Sequence, residues 1–306
     1  MKRKVLLLTS PKTGGLRTNS QYSVMADFAT KVSEDDACTL EFSSIDQLEF
    51  IIAENNVQIF DTHNSVDLSS YDVVYMRNIP QALGYFKAVQ VYVMHHGHKV
   101  IGSPELPEVS SEKVAQMVQL ALADVPVPDT YVTWRRHALQ VRLEKQSEWP
   151  IVLKANIAMK GDDNFLVSSL EEAQSKINEL AESGGYLLQP YIENDGDYRV
   201  LFIGDSDPLV FLRTAQPGSH LNNTSKGGRA DIIANSEFDP SAMLIARKTY
   251  ELTMGIAGVD VMWDINKQRW LVLETNLAAS LSTGALLDDK AASFARMLKD
   301  VLKEKI

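Results

Sequence analysis

Cysteine is almost absent from this chain: Cys38 is the only one among 306 residues. An intrachain disulfide framework is excluded, and a reducing compartment, the cytoplasm, is the expected location. Long apolar runs are missing too, and no stretch approaches the roughly 20 consecutive apolar residues that a membrane helix requires, so no membrane partner is expected. The opening MKRKVLLLTSPK has a basic start, but its apolar run covers only residues 5–8 before polar residues and proline. It therefore reads as a buried first strand rather than a signal peptide. Positive charge is in deficit. A formal net charge of −10 argues against nucleic acid as the main partner, because binding a phosphate backbone needs a basic field. Glycine is scarce where a phosphate cradle would use it, since the loop NIAMKGDDNF contains only Gly161.

What is present is the balance of an ordinary globular protein, 45% hydrophobic and 23% charged, in a chain long enough for two or three cores. Residues 1 to about 102 alternate short apolar runs with helical stretches (KVLLLTS, QYSVMADFATKV, CTLEFSS, DVVYMR, QALGYFKAVQVYVMHHG, KVIGS), the pattern of an open parallel α/β sheet. SPELPEV at 103–109 marks the first boundary, and Ser110 and Ser111 cap a following helix. The expected division is 1–106, 107–190 and 191–306, an α/β unit followed by two α+β lobes. Two features lie outside this scheme. His95, His96 and His98 read as a surface cluster, because Gly97 ends their helix and the i, i+4 spacing of a helical metal pair is lacking. PKTGGLRTNS, with Gly14, Gly15, Arg17 and Asn19, lies where open sheets bind ligands and is a candidate substrate loop. The apolar face of YFKAVQVYVM is expected in the core or in a homo-oligomer contact.

The segment GVDVMWDINKQRWLVLETN reads as a β-hairpin, with strands at 259–265 and 270–275 and a polar turn at 266–268. That turn sets Asp260 across from Glu274, and alternation puts Asn276 on the same face as Glu274. Two carboxylates and an amide oxygen suit a hard cation, magnesium before manganese, because magnesium takes few protein oxygens and fills its shell with water and phosphates. Lys154, at the end of the strand 151–155, is a natural phosphate ligand beside that glycine-poor loop, where Lys160 adds a second positive charge. In YLLQPYIENDGDYRVLFIGD an extended strand edge offers one acceptor and one donor to an adenine base, the Pro190 carbonyl and the Ile192 N–H. Asp197 suits either a ribose contact or a turn.

Taken in order, Lys113 in SEKVAQMVQLALADVPVPDTYV, Lys154 in PIVLKA, LQPYI, DGDYRVLFIG, NNTSKGG at 222–228 and VD followed by LVLETN resemble the ATP-grasp ligases. Within them the chain is most similar to RimK-type glutamate ligases and bacterial glutathione synthetase, over residues 70–300. The resemblance implies an N-terminal Rossmann-like (pre-ATP-grasp) domain and two α+β lobes that grip ATP. It also implies phosphate contacts from Lys113 and Lys154, adenine contacts from Gln189, Pro190, Tyr191 and Ile192, and a ribose contact from Asp197. Arg199 and Arg213 would meet the phosphoryl group or the substrate carboxylate. In the NNTSKGG loop, Asn223 would contact the nucleotide and Lys226 would act as a catalytic cation. Asp260, Glu274 and Asn276 would hold magnesium, two ions by family analogy. The implied reaction activates a carboxylate with ATP as an acyl phosphate and lets an amine displace phosphate, the substrates being a peptide, protein or amino acid. An Mg-ATP-binding module without ligase chemistry and an ATP-dependent phosphotransferase stay open as alternatives. One departure bears on substrate: the arginine expected before the loop asparagine is Leu221 here, with Lys226 and Arg229 as candidate replacements, which speaks against glutathione-type substrates because a single ammonium does not easily replace a bidentate carboxylate clamp.

Overall fold

A computed structural model describes residues 2–9, 19–34, 38–53, 56–77, 83–102, 113–155, 164–179, 185–217, 222, 227–253, 255–277 and 279–303. Lys160, Leu221, Asn223, Lys226, the segment 103–112 and the glycines and arginine of PKTGGLRTNS lie outside the described residues.

The N-terminal part is a parallel sheet built from β1 (Arg3–Thr9), β2 (Cys38–Ser44), β6 (Val73–Arg77) and β7 (Lys99–Ile101), in the order β2-β1-β6-β7. The short apolar run of β1 splits by strand alternation between two cores. Val5 and Leu7 join a cluster with α1 (Asn19–Ser33), whereas Leu6 and Leu8 face α2 (Leu83–His95). Burial on both faces explains why the run shows no polar alternation. Between β2 and β6 the chain forms an antiparallel meander, β3 (Leu48–Ala53), β4 (Asn56–Asp61) and β5 (Val66–Asp67), which the sequence pattern had not revealed. Gly97, at φ +76°, ends α2, and His95 and His96 are exposed past its buried face. The apolar residues of α2 divide: Phe86, Val89 and Val93 are buried, while Val91 and Met94 face outward.

Helix α3 (Lys113–Leu122) leads to an antiparallel sheet of β8 (Tyr131–Thr133), β9 (Ile151–Ala155), β10 (Asn164–Val167) and β11 (Tyr186–Pro190), ordered β10-β9-β11-β8 and covered by α4 (Arg136–Glu144) and α5 (Leu170–Glu179). Strand β10 begins inside what read as loop, so Lys154 lies in a strand paired on both sides rather than at a sheet edge. The last sheet contains β12 (Asp197–Ile203), β13 (Leu209–Thr214), β14 (Arg229–Ile233), β15 (Ile256–Asp264) and β16 (Arg269–Asn276), ordered β14-β13-β12-β15-β16. Helix α6 (Pro240–Glu251) starts where the Asp239 carboxylate accepts from the N–H groups of Ser241 and Ala242, with Pro240 in the first turn. Helix α7 (Leu287–Lys303) closes the fold.

Two packing facts position the site. Met117 and Leu120 of α3 pack with Val200, Phe202, Val259 and Val272, so this helix belongs to the core of the five-stranded sheet. Phe294 of α7 packs with Phe28 of α1 and Tyr75 of β6, in one cluster that also holds Leu201 and Ile256. The parallel sheet and the five-stranded sheet thus share a continuous apolar contact. No described helix is long and apolar enough to cross a membrane.

Candidate active site

The hairpin β15–β16 forms the floor of the site. Its register sets Asp260 directly across from Glu274, as expected, but by a different route. The turn has four residues, 265–268, so Asp264 pairs with Arg269 and Val261 with Val272. That register alone would set Asp260 opposite Leu273. A bulge between Asp260 and Val261 absorbs Leu273 as an unpaired residue and restores the carboxylate pair. Glu274 is exposed, Asn276 is half-buried, and Asp260 is buried.

Asp260 is held from the opposite side by β12 and β13. Arg199, its direct partner on β12, donates from Nε and Nη2 to the two carboxylate oxygens, both at 2.7 Å. Arg213 Nη2 lies 2.8 Å from the same carboxylate and also pairs with Asp197, while its Nε donates to Asp197 at 3.3 Å. Arg213, Asp197 and Asp260 are almost entirely buried, whereas Arg199 keeps about a quarter of its side chain exposed. Burial opposes ionisation of Asp260, but the two guanidinium groups outweigh it and hold the carboxyl below its ordinary range. Asp197 goes the other way: burial and the neighbouring Asp260 push its pKa up against the pull of Arg213. This differs from the expected ribose contact, because the Asp197 carboxylate is 2% exposed and committed to an arginine. Likewise Arg213 is locked between two aspartates, and of the two arginines Arg199 alone retains appreciable exposed surface.

The cationic side is formed by α3 and β9. Lys154 Nζ donates to Gln189 Oε1 at 2.8 Å, and Gln189 Nε2 donates to Thr130 Oγ1 at 2.9 Å. Burial lowers the Lys154 pKa to about 8, with Glu274 raising it and Lys113 lowering it. Burial also lowers Lys113, again opposed by Glu274. Lys113 and Lys154 therefore both lie within the field of Glu274, although the three come from separate parts of the chain. Gln189, expected at the adenine, instead orients Lys154 through its side chain. On the same strand the Tyr191 N–H donates to the Pro150 carbonyl at 3.2 Å. Alternation along extended backbone then turns the Pro190 carbonyl to the opposite edge, where β8 has already ended at Tyr131. That carbonyl remains suited to an adenine amino group.

Gln116 escaped notice in the sequence, yet it clamps β16. Its Nε2 donates to the Thr275 carbonyl at 2.8 Å and its Oε1 accepts from the Thr275 N–H at 2.7 Å, fixing the backbone between Glu274 and Asn276. The signal was a glutamine one turn after Lys113 on an otherwise apolar helix face.

The donor set fits a magnesium ion. Two carboxylates face each other across the hairpin with an amide two residues on, and the described residues contain no cluster of three His, Cys, Asp or Glu that would suit a metal taking all its ligands from protein. The arginines use three of the roughly four lone-pair directions of Asp260, so Glu274 is the main anion open to a cation.

An antiparallel sheet carrying a half-buried lysine, set against a hairpin carrying paired acids, is the architecture of the ATP-grasp fold. Residues 110–292 match the RimK-like ATP-grasp domain, and the chain belongs to that family. A probable alpha-L-glutamate ligase of Hahella chejuensis is 26% identical over 200 residues, an overlap of 63% of this chain and 64% of that one. Two solved structures share the fold over nearly the whole chain. A Chryseobacterium gregarium RiPP-associated ATP-grasp ligase in complex with ADP and a leader and core peptide has a TM-score of 0.67 at 13% identity, covering 99% of both chains. D-alanyl-alanine synthetase A of Vibrio cholerae has a TM-score of 0.70 at 11% identity, covering 99% of this chain and 98% of that one.

Proposed function

We propose that the protein is an ADP-forming carboxylate–amine ligase that makes an amide bond on an amino acid or peptide. The observation that carries this reading is the convergence of Lys113 and Lys154 on Glu274, facing the arginine-braced Asp260. Cations on one wall and a metal-binding acid on the other are what a triphosphate needs at its reacting end. A magnesium ion held by Glu274, Asp260 and Asn276 would neutralise charge on the phosphate oxygens. We retain two ions, with manganese as a substitute, in the proposal. Lys113 and Lys154 would bind the phosphates, and Gln189 would keep the Lys154 ammonium aimed at them. Arg199 would meet the substrate carboxylate as it attacks the terminal phosphoryl group, and Arg213 with Asp197 would hold the Asp260 side chain in place. Glutamate is the first amino acid to test, since relatives are named for it, and peptides are the second, since a structural neighbour carries one.

The test is ADP release from Mg-ATP in the presence of a carboxylate, with hydroxylamine as the amine. A hydroxamate product is expected, because hydroxylamine intercepts an acyl phosphate. A stable phosphorylated product in phosphorus NMR would identify a phosphotransferase instead. Mg-ATP binding without turnover across amino acids and peptides would leave only a nucleotide-binding module.

The depressed Lys154 pKa gives a signature independent of substrate. Above pH 8 this side chain is mostly neutral, and a bound phosphate restores its charge. Nucleotide binding is therefore expected to take up about half a proton at pH 8, rising toward one at pH 9. Calorimetry in buffers of different ionisation enthalpy measures it, and in Lys154→Arg, where the side chain stays charged, the uptake should vanish.

A further inference from the structure

Arg77 ends β6, at the C-terminal edge of the parallel sheet, beside Thr9 of β1. It is 9% exposed, yet no carboxylate among the described residues pairs with it. Its contacts are the Ala279 carbonyl, which accepts from Nη2, and the face of Tyr75, whose centroid lies 5.9 Å from the guanidinium carbon. Burial pushes its pKa down with only Tyr75 opposing. A guanidinium carries five N–H donors, and a buried cation with one carbonyl partner is costly unless an anion arrives. Residues 10–18 and 78–82, which lie outside the described residues, contain no aspartate or glutamate.

Its location ties this cation to the site. Ala279, whose carbonyl it holds, follows Asn276 by three residues. A side chain at Gly258 would touch both the Ala279 methyl, at 3.1 Å, and the Arg199 stem, at 3.4 Å. Arg77, through the Ala279 backbone, and Arg199, through its stem beside Gly258, thus both lie close to the Gly258–Ala279 contact. The carboxyl edge of an open parallel sheet is also where such sheets receive ligands.

We propose that Arg77 binds a substrate carboxylate that is not activated in the reaction, such as the second carboxylate of an acidic amino acid, and thereby selects substrates carrying one. The assignment rests on the ligase reading. It supplies a bidentate carboxylate clamp from the N-terminal sheet. Arg77 is a binding and specificity residue, remote from the transferring phosphoryl group.

The test uses the full chain saturated with Mg-AMPPNP and titrated with L-glutamate, glutamine, isoglutamine and succinate. Wild type should bind a dicarboxylate and lose about 10–100-fold in affinity when the carboxylate read by Arg77 is amidated. Arg77→Met should lose the same factor for the dicarboxylate, bind that amide as wild type does, and keep its Mg-ATP affinity. Arg77→Lys, which keeps the charge without the fork, should fall between. Because no carboxylate among the described residues pairs with the native charge, Arg77→Met should melt at or above the wild-type temperature. A marked drop in melting temperature would instead reveal a structural counter-ion, such as Glu105 or Glu108, and overturn the proposal. Failure of every dicarboxylate to bind wild type, with Mg-AMPPNP still bound, would also overturn it. Absence of nucleotide binding to wild type would remove the ligase reading itself.

Discussion

Glu274→Gln is expected to lower turnover by about 10²–10³-fold with little change in melting temperature. The side chain is exposed on β16, so the amide is accommodated without a cavity, and only charge is removed. That charge has two roles in the geometry described above. It is the more available of the two hairpin carboxylates, since Asp260 is largely occupied by Arg199 and Arg213. It also supports the positive charge of Lys113 and Lys154, both of which burial drives toward the neutral form. Neutralising Glu274 should therefore weaken the hold on a divalent ion and depress the Lys154 pKa further. The second effect is separately visible: proton uptake on nucleotide binding should move to lower pH in the variant. Steady-state ADP release and buffer-dependent calorimetry check the two halves. A Glu274→Gln protein with wild-type turnover and an unshifted uptake profile would sink the site assignment.

The hairpin shows how far the residue pattern alone could reach. β-branched and aromatic residues flanking Asn266, Lys267 and Gln268 located both strands, and the Asp260–Glu274 pair emerged correctly. The pairing nevertheless depends on a four-residue turn compensated by a bulge at Leu273. Neither is legible locally, because a bulge is selected by packing on the two faces of the sheet rather than by the bulged residue. Strand β10 and the meander β3–β5 were missed for a related reason. Asn164–Val167 is short and follows a polar loop, and the exposed Ile51, Ile52 and Val57 obscure the alternation that marks a half-buried strand.

Side-chain partnership was the least legible level. Lys154 and Glu274 were singled out as individual ligands, but their mutual field depends on three elements meeting in space. Arg199 and Arg213 were expected to face substrate because arginines often clamp anions. In the fold the nearest anions are Asp260 and Asp197 of the same sheet, fixed by cross-strand register: Arg199 opposite Asp260 and Arg213 opposite Asp197. A linear sequence carries no sign of that register until the strand order β13-β12-β15 is known.

That register makes Arg213 the residue whose loss should cost most in stability. Arg213→Met retains length and apolar volume but leaves Asp197 and Asp260 buried against Arg199 alone. Breaking a buried ion pair by removing one partner costs about 3–5 kcal/mol, since the remaining charge has neither water nor counter-ion. The pH dependence distinguishes charge from packing. Asp260 has a depressed pKa in the folded protein, so its contribution is present above the ordinary carboxyl pKa and is lost as pH falls through the depressed value. Asp197 has a raised pKa, so it favours the folded state at low pH and that contribution is lost as pH rises through the raised value. Without Arg213 both carboxyls lose a cation and both pKa values move up. The variant then takes up protons on folding at a pH where wild type does not. Its stability deficit in urea should be largest near pH 7 and shrink toward pH 5. Asp197→Asn in the same background removes one uncompensated charge and should recover part of the loss at pH 7 with little effect at pH 5. An equal deficit at both pH values would mean that packing, not charge, holds this corner of the site together.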